Sequence, residues 1–348
     1  MKDATLTRRA FLGLGAAASL AACGGGGSPS GGGNDDGVSI IMVTGTGGVY
    51  DQSFNQLSWE GLQRLAADTG WKVSYIESKQ ESEFFTNLDK AVDAEPKLIW
   101  GIGFDMADAL NSIADDNPEN QFAGMDITNN QGVGNLTGVT FKSEESSFAV
   151  GYIAARMTKT GKVGFLGGIE SDTLLAFRCG YLAGVEYANK EQGTSVAHVW
   201  QMAESFSDAA KGKSIAQKMI EEGADVIYTA AGQSGTGGIE ACQEAGVYAI
   251  GVDMDQSYLA PKTIITSALK CVDEAVYYAS KELVDGTTPS GQNFALGVAE
   301  EAVGIAETHD LLPDEVYEAA LGVLALIKAG DIVVPATEAG LADYVASL

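Results

Sequence analysis

The alternation of short apolar strands with amphipathic helices is the strongest constraint on the fold. It runs from residue 38 to near the C terminus, and glycine-containing turns join the segments. This βαβα order, with strands rich in valine and isoleucine, predicts parallel sheets covered by helices on both faces, the α/β class. About 310 residues exceed what one hydrophobic core usually holds, so two domains are predicted.

Ligands of open parallel sheets bind beyond the carboxyl ends of the strands, so the element boundaries decide where a site is sought. The predicted strands are 38–44, 71–76, 97–101, 121–126, 162–166, 196–202, 225–229, 247–253 and 263–267. The predicted helices are 53–68, 81–95, 105–116, 144–158, 173–190, 208–222, 236–245, 271–284 and 313–328. A second α/β unit begins at residue 162, after the long helix 144–158.

The N-terminal segment has the features of a bacterial export signal. Arg8 and Arg9 precede an apolar run, 11–22, that is shorter than the roughly 20 residues a membrane-spanning helix needs. The arginine pair resembles a twin-arginine signal. The sequence Leu-Ala-Ala-Cys at 20–23 resembles a lipobox. Residues 1–22 are therefore predicted to be a signal peptide.

A lipobox implies cleavage before Cys23 and attachment of lipid to its sulfur. Residues 23–37 are rich in glycine and serine and predict a flexible tether. The expected location is outside the cell's cytoplasm, anchored by lipid at the outer face of the cytoplasmic membrane. The alternative is a plain soluble secreted protein.

Charge and composition exclude several classes of function. The chain has a formal net charge of −26, and loss of the predicted signal peptide would leave about −28, because that segment carries three basic residues and one acidic residue. Such a charge argues against nucleic-acid binding and against electrostatic adhesion to anionic lipid. The three cysteines beyond Cys23 lie in helix-like apolar patterns, which favours buried thiols over disulfides. They are Cys179, Cys242 and Cys271.

The sequence contains few residues that could form a metal site or a catalytic site. His198 and His309 are the only histidines, and no cysteine pair has ligand spacing, which argues against a zinc site and against a catalytic triad. The glycine-rich turns 45–48 and 232–238 follow strands and could cradle a phosphate. Neither continues as a P-loop or as a dinucleotide fingerprint. The favoured interpretation is that these glycines let the backbone turn tightly or approach a ligand, and no cofactor or metal is predicted.

Several side chains after strands are candidate binding residues. Asp126 and Asp253 each end an apolar strand at matching positions of the two halves, which favours a shared cleft, although a strand-end aspartate can also be a helix cap. Phe206 lies in a polar turn, where an aromatic ring is well placed to stack on a planar ligand. Phe54 continues an apolar helix stripe, so a core role also explains it. Lys270 closes the strand 263–270, and near Asp253 it would be an orienting donor rather than a solvated charge.

Four segments make the chain resemble a known family. The segments DQSFNQLSWEGL, FAGMDI, DVIYTAAGQSGTGGIEACQEAGVYAIGVDMDQ and IITSALKCVDEAV are similar to those of the basic membrane protein family, and the resemblance extends from residue 38 to about residue 335. Members of this family are lipoproteins that serve ABC transporters as substrate-binding components, and some bind purine nucleosides.

The resemblance implies a type I periplasmic-binding-protein fold with two Rossmann-like lobes. Three hinge crossings join the lobes, and we expect them near 140–146, 253–259 and 290–298. Lobe 1 would then contain residues 38–142 plus 259–294. Lobe 2 would contain residues 143–258 plus 295–348.

The resemblance also implies roles for the pocket residues that recognise a base. Phe54 and Asn55 match the Ser-Phe-Asn motif, which packs on the base and hydrogen-bonds to it. Asp126 matches the aspartate that accepts hydrogen bonds from base N–H groups. Phe206 matches the second stacking aromatic residue. Asp51 is expected to cap or orient the loop rather than to contact ligand.

The resemblance implies roles for three further pocket residues. Gly232 would allow close approach of the backbone, and Asp253 and Lys270 match the pair that holds the ribose hydroxyls. The sequence departs from the family pattern at 174–177, where leucine and phenylalanine occupy a stretch expected to be a loop richer in proline and valine.

The predicted function is that of an extracytoplasmic, monomeric substrate-binding protein of an ABC importer, without enzymatic activity. Its partners would be a purine nucleoside, the transporter permease and ATPase, and the membrane through lipid on Cys23. One alternative keeps the fold but binds a sugar, an autoinducer or another small metabolite. Another is a nucleoside-processing enzyme, for which Asp253 and Asp255 alone are too few to hold a catalytic metal.

Overall fold

The computed structural model describes residues 37–348. The predicted signal peptide, Cys23 and the predicted tether up to residue 36 lie outside the described residues. From residue 37 onward, none of the helices combines the length and the apolar character that a membrane span requires.

A six-stranded parallel sheet forms the centre of the first lobe. Its strands are β1 (Ser39–Val43), β2 (Lys72–Ile76), β3 (Leu98–Ile102), β4 (Phe122–Met125), β5 (Leu136–Phe141) and β11 (Asn293–Leu296). Their spatial order is β11-β5-β4-β3-β1-β2. Helices α1 (Phe54–Thr69) and α8 (Val272–Val284) cover one face. Helices α2 (Phe84–Asp93) and α3 (Ala107–Asp116) cover the other.

A second six-stranded sheet forms the centre of the second lobe. Its strands are β6 (Lys162–Gly167), β7 (Ala197–Met202), β8 (Val226–Ala230), β9 (Tyr248–Asp253), β10 (Ile264–Lys270) and β12 (Val303–Ile305). The spatial order is β12-β10-β9-β8-β6-β7, and only the pairing of β12 with β10 is antiparallel within this sheet as described. Short 3-10 turns, such as Phe104–Met106, precede some helices.

Helices also cover both faces of the second sheet. Three of them, α4 (Ser143–Met157), α5 (Asp172–Gln192) and α9 (Asp314–Ala329), share the larger apolar core on one face, and α10 (Glu338–Ser347) packs on α5. Helices α6 (Ala209–Glu221) and α7 (Gly232–Ala245) cover the opposite face. The prediction of the α/β class and of two lobes with parallel sheets is confirmed.

The chain passes between the lobes three times. It crosses from β5 to α4 at residue 142, within the predicted range. The second crossing differs from the predicted 253–259: β10 pairs with β9 and extends the second sheet, so the chain crosses only at Cys271. The third crossing follows β11 at 297–302 and overlaps the predicted range. Residues 259–270 therefore belong with the second sheet and not, as expected, with lobe 1.

The described cysteines are free thiols, as predicted. Cys179 and Cys242 are buried in the second lobe, whereas Cys271 is half-buried at the second crossing. Burial raises the pKa of the Cys242 thiol to about 12. These thiols are therefore protonated at neutral pH and act as small apolar side chains.

Candidate functional site

A cavity lies between the two lobes, beyond the carboxyl ends of the strands of both sheets. Its empty volume, part of which is open to solvent, is about 670 Å³. All of the binding residues predicted from the sequence line this cavity. They are Phe54, Asn55, Asp126, Phe206, Gly232, Asp253 and Lys270. The fold brings them together, and their contacts with a ligand remain predictions.

Asp51 organises the turn that precedes α1. Its carboxylate accepts hydrogen bonds from the backbone N–H groups of Ser53, Asn55 and Gln56 at 3.0 to 3.1 Å. These bonds satisfy donors that the start of a helix leaves unpaired. Burial raises the pKa of Asp51, and the hydrogen bonds with Asn55 and its neighbours oppose that shift. The predicted capping role is confirmed, although Asp51 also lines the cavity.

Asn55 connects α1 to the glycine-rich turn after β1. Its Oδ1 accepts from the Gly45 N–H at 3.0 Å, and its Nδ2 donates to Asp51 at 2.8 Å. An amide group has two N–H donors and two acceptor lone pairs, so one of each remains. Asn55 can therefore hold the turn and still meet a ligand edge.

An ion pair crosses the cleft at its deepest point. The Lys270 ammonium, at the end of β10, donates to the Asp126 carboxylate, which follows β4 of the other lobe. The two side chains are only 2% and 7% exposed. The Lys270 ammonium also lies 4.8 Å from the ring centroid of Phe54, 5.0 Å from that of Phe141 and 5.5 Å from that of Phe177. Such cation–π contacts favour a desolvated cation.

The direct partner of Lys270 thus differs from the expected Asp253. Asp253 instead accepts a hydrogen bond from the Ser53 hydroxyl of the opposite lobe. Burial raises the pKa of Asp253 to about 6, while the Lys270 charge and the Ser53 hydrogen bond oppose the shift. Lys270 therefore contacts the Asp126 carboxylate directly and stabilises the charge of Asp253 electrostatically, without contact.

Asp126 and Asp253 share an unusual backbone conformation. Their φ angles are +57° and +65°, in the left-handed region that non-glycine residues rarely adopt. Neither carboxylate accepts a hydrogen bond from the start of a helix in the described chain, so the helix-cap interpretation is not supported. A left-handed residue costs about 1–3 kcal/mol and persists where surrounding structure imposes it, often at binding sites.

The aromatic wall of the cavity is built from both lobes. The Phe206 ring meets the Phe104 ring edge-on across the cleft, with 6.1 Å between centroids and 68° between planes. Gly168 makes room for Phe206, because a Cβ atom there would lie 2.1 Å from the Phe206 ring. Phe206 is thus half-buried: it lines the cavity and also packs against the apolar core of the second lobe.

Sequence reasoning missed several lining residues. Phe104 and Asp105 follow β3 after Gly103, where the strand-end rule directs the search, but sequence reasoning assigned neither of them a binding role. Phe177 does not follow a strand. It lies within α5, where an apolar side chain in the sequence indicates a core residue. Residues 174–177, where the sequence departs from the family pattern, lie in the first turns of that helix, which the sequence predicts over 173–190. Thr173, Leu174 and Phe177 all line the cavity.

Acidic groups dominate the polar part of the wall. Among the described residues that line the cavity, Asp51, Asp105, Asp126 and Asp253 carry carboxylates, whereas Lys270 carries the single amine. Burial, with a smaller effect of Glu81, raises the pKa of Asp105 to about 6. Within 37–348, no group of three or more histidine, cysteine or acidic side chains is arranged to hold a metal ion. The wall is suited to accept hydrogen bonds from a ligand.

Comparison with known proteins points to a single family. The sequence model of the Bmp family, described as ABC transporter substrate-binding protein PnrA-like, matches residues 38–338. The chain is 38% identical over 290 residues to basic membrane protein A1 of Borrelia garinii subsp. bavariensis, covering 82% of this chain and 85% of that protein. It is 35% identical over 318 residues to the CD4+ T-cell-stimulating antigen of Listeria monocytogenes serovar 1/2a, covering 85% and 88%.

A solved structure supports the same relationship. An ABC transporter solute-binding protein from Aeropyrum pernix K1 superposes with a TM-score of 0.80 at 28% sequence identity, covering 88% of this chain and 96% of that one. A solute-binding protein from Conexibacter woesei superposes with a TM-score of 0.68 at 20% identity and so shows the fold alone.

Asp253 should destabilise the ligand-free protein at neutral pH. Its folded-state pKa is about 6, above the ordinary value of 3.8, so its ionised form is disfavoured by up to about 3 kcal/mol. Asp253→Asn removes this cost and tolerates the left-handed backbone. The variant should therefore unfold at a higher urea concentration than the parent at pH 7.5.

The difference in stability between the parent and Asp253→Asn should depend on pH. The cost is absent below about pH 4, where the carboxyl is protonated in both states, and is complete above about pH 6. The advantage of Asp253→Asn should therefore shrink between pH 7.5 and pH 4. Asp108→Asn, at an exposed position of α3, is the control and should change little. Equal unfolding midpoints of parent and Asp253→Asn at every pH would contradict the assignment.

Proposed function

Because the chain belongs to the PnrA-like family of ABC transporter substrate-binding proteins, we propose that it binds a purine nucleoside between its two lobes. Substrate-binding proteins of ABC transporters act outside the cytoplasm and deliver a small molecule to their transporter. The choice of a purine nucleoside as the ligand is inferred from the residues that line the cavity. The permease and its ATPase are the proposed partners of a monomer.

The combination of aromatic faces and carboxylate acceptors in one cavity carries this proposal. A purine ring offers a flat face, and stacking on an aromatic side chain is worth about 1–3 kcal/mol per base. Phe206 and Phe104 supply such faces from opposite lobes. The purine edge needs polar partners, because a buried unpaired polar group costs a similar amount. Asp126 and Asn55 lie on the same wall and supply them.

The ribose is proposed to lie between Asp253 and Lys270. The Ser53 hydroxyl donates to Asp253, and a ribose hydroxyl is a donor of the same kind that can replace it. The Lys270 ammonium has three N–H donors, of which the Asp126 contact uses one. Another can donate to the second ribose hydroxyl. The proposed clamp therefore uses both residues, with Lys270 held in place by Asp126.

The acidic wall of the cavity disfavours binding of a phosphate group. The carboxylates of the cavity outnumber its amine, and a nucleotide would bring about two more negative charges. The N-termini of helices are the usual alternative anion sites. Asp51 already caps the N-terminus of α1, and the Ser171 hydroxyl caps that of α5. The start of α7 at Gly232 still faces the cavity, so the exclusion of phosphate needs a direct test.

We expect the affinity to decrease from nucleoside to free base and to nucleotide, with at least about tenfold between the first and each of the others. A free base would lack the hydrogen bonds that the ribose hydroxyls are proposed to make with Asp253 and Lys270. Titration calorimetry with guanosine, inosine and adenosine against hypoxanthine and inosine monophosphate measures this order.

Two results would contradict the proposal. A monophosphate that binds as tightly as its nucleoside would refute the ribose clamp. Native mass spectrometry of protein purified without added ligand provides the second test. A retained mass of a sugar or another metabolite, with no nucleoside binding by calorimetry, would favour the same fold with a different ligand.

Phe206→Ala should weaken nucleoside affinity by at least about tenfold, because the ligand loses a stacking face. The apo melting temperature should stay within about 5 °C of the parent, since the ring is only half-buried. Phe85→Ala, which removes an exposed ring on α2, is the matched control and should change neither quantity. A large loss of apo stability with unchanged affinity would make Phe206 a core residue instead.

We further propose that the protein is exported and anchored by lipid on Cys23, at the outer face of the cytoplasmic membrane. The Leu-Ala-Ala-Cys sequence supports this, and it precedes the described residues. Cys23→Ala should shift the protein from the membrane fraction to the soluble fraction of cells that express it. Cys179→Ala serves as the control, because its thiol is buried in the second lobe. Equal membrane retention of both variants would contradict the anchor.

A further inference from the structure

Asp105 differs from the other carboxylates of the cavity in lacking a side-chain partner. Asp51 binds Asn55, Asp126 binds Lys270, and Asp253 binds Ser53. No lysine, arginine or histidine of residues 37–348 lies within 4.0 Å of the Asp105 carboxylate. The groups that lower its pKa are its own N–H and that of Met106, while burial raises it to about 6. Asp105 is therefore ionised at pH 7.5 and retains acceptor capacity towards the cavity.

The backbone places Asp105 beside Asp126 on one wall. Strands β3 and β4 are neighbours, and the Gly103 N–H donates to the Met125 carbonyl at 3.0 Å. Adjacent strands lie about 4.8 Å apart, so the two carboxylates that follow them are within reach of one small ligand.

Gly103 is needed to bring the Asp105 carboxylate there. The φ angle of Gly103 is +113°, and a Cβ atom at this position would lie 2.6 Å from Asp105 Oδ1. A residue with a side chain would therefore push the carboxylate away. The glycine lets Asp105 fold back over the turn that lines the cavity.

The aromatic contact defines where a flat ligand would present its edge. Phe104 precedes Asp105 directly, and its ring meets the Phe206 ring edge-on across the cleft. A planar ligand that rests on Phe206 would bring its edge to the wall of the first lobe. Asp105 and Asp126 are the carboxylates on that wall beyond the two strands.

We propose that Asp105 accepts a hydrogen bond from an exocyclic amino group of the ligand ring and thereby selects 2-amino-6-oxopurine nucleosides. Two neighbouring acceptors match the two neighbouring donors of guanosine, the ring N–H and the 2-amino group. Inosine lacks the amino group, and adenosine presents a bare ring nitrogen instead of the N–H. The inference rests on the proposed binding of purine nucleosides and adds the residue that discriminates among them.

Titration calorimetry at pH 7.5 with guanosine and inosine tests the role of Asp105. The parent should bind guanosine at least about tenfold more tightly than inosine, the scale of one hydrogen bond to a charged acceptor. Asp105→Asn keeps the shape and one acceptor oxygen but turns the second group into a donor. It should remove most of this preference while leaving the inosine Kd within about twofold. Asp108→Asn on α3 makes the same charge change at an exposed position and should alter neither Kd.

The results of these titrations distinguish failure of the Asp105 inference from failure of the proposed function. If Asp105 serves only to hold the turn, Asp105→Asn and Asp105→Ala will weaken both nucleosides equally or not at all, and the inference is overturned. Equal binding of guanosine and inosine by the parent overturns it as well. If the parent binds neither nucleoside, the proposed function itself fails. Thermal unfolding of each variant establishes that it is folded before binding is compared.

Discussion

One buried ammonium group links the two lobes by an ion pair. Lys270 extends from the second sheet, and its counter-charge, Asp126, belongs to the first. A buried charge that loses its partner is strongly destabilising, whereas the pair itself adds little net stability compared with apolar packing. The ion pair therefore specifies how the lobes meet more than it strengthens either lobe. Because Lys270 directly precedes the crossing at Cys271, the contact lies beside the hinge as well as at the floor of the cavity.

Three further contacts between the lobes are hydrogen bonds. Ser53 donates to Asp253, Gln256 Nε2 donates to the Gln52 carbonyl at 2.9 Å, and Gln233 Nε2 donates to the Gly47 carbonyl at 3.3 Å. Each is an exchangeable hydrogen bond worth about 1 kcal/mol net. A ligand that contacts both walls stabilises only the closed state, and it therefore shifts the population of conformations towards that state.

The sequence located the cavity because strand-end residues of parallel sheets meet at one edge, whatever the detailed packing. It did not identify the partner of Lys270, since Asp126 and Asp253 end equivalent strands and only the meeting of the lobes separates them. The second crossing was misplaced because β10 continues the second sheet beyond an apparent boundary. Strands β11 and β12 have four and three residues, too few for a periodic signal.

The wall of the cavity contains features that a fold optimised for stability alone would avoid. Asp126 and Asp253 occupy left-handed backbone conformations, and burial opposes the charge of Asp253. Both lie at the carboxyl end of the fourth strand of their α/β unit, so the repeated architecture places a carboxylate on each side of the cleft. Lys270 neutralises only part of this charge. Hydrogen-bond donors from a ligand are what would complete the site, and this favours a neutral molecule with several N–H and O–H groups over an anion.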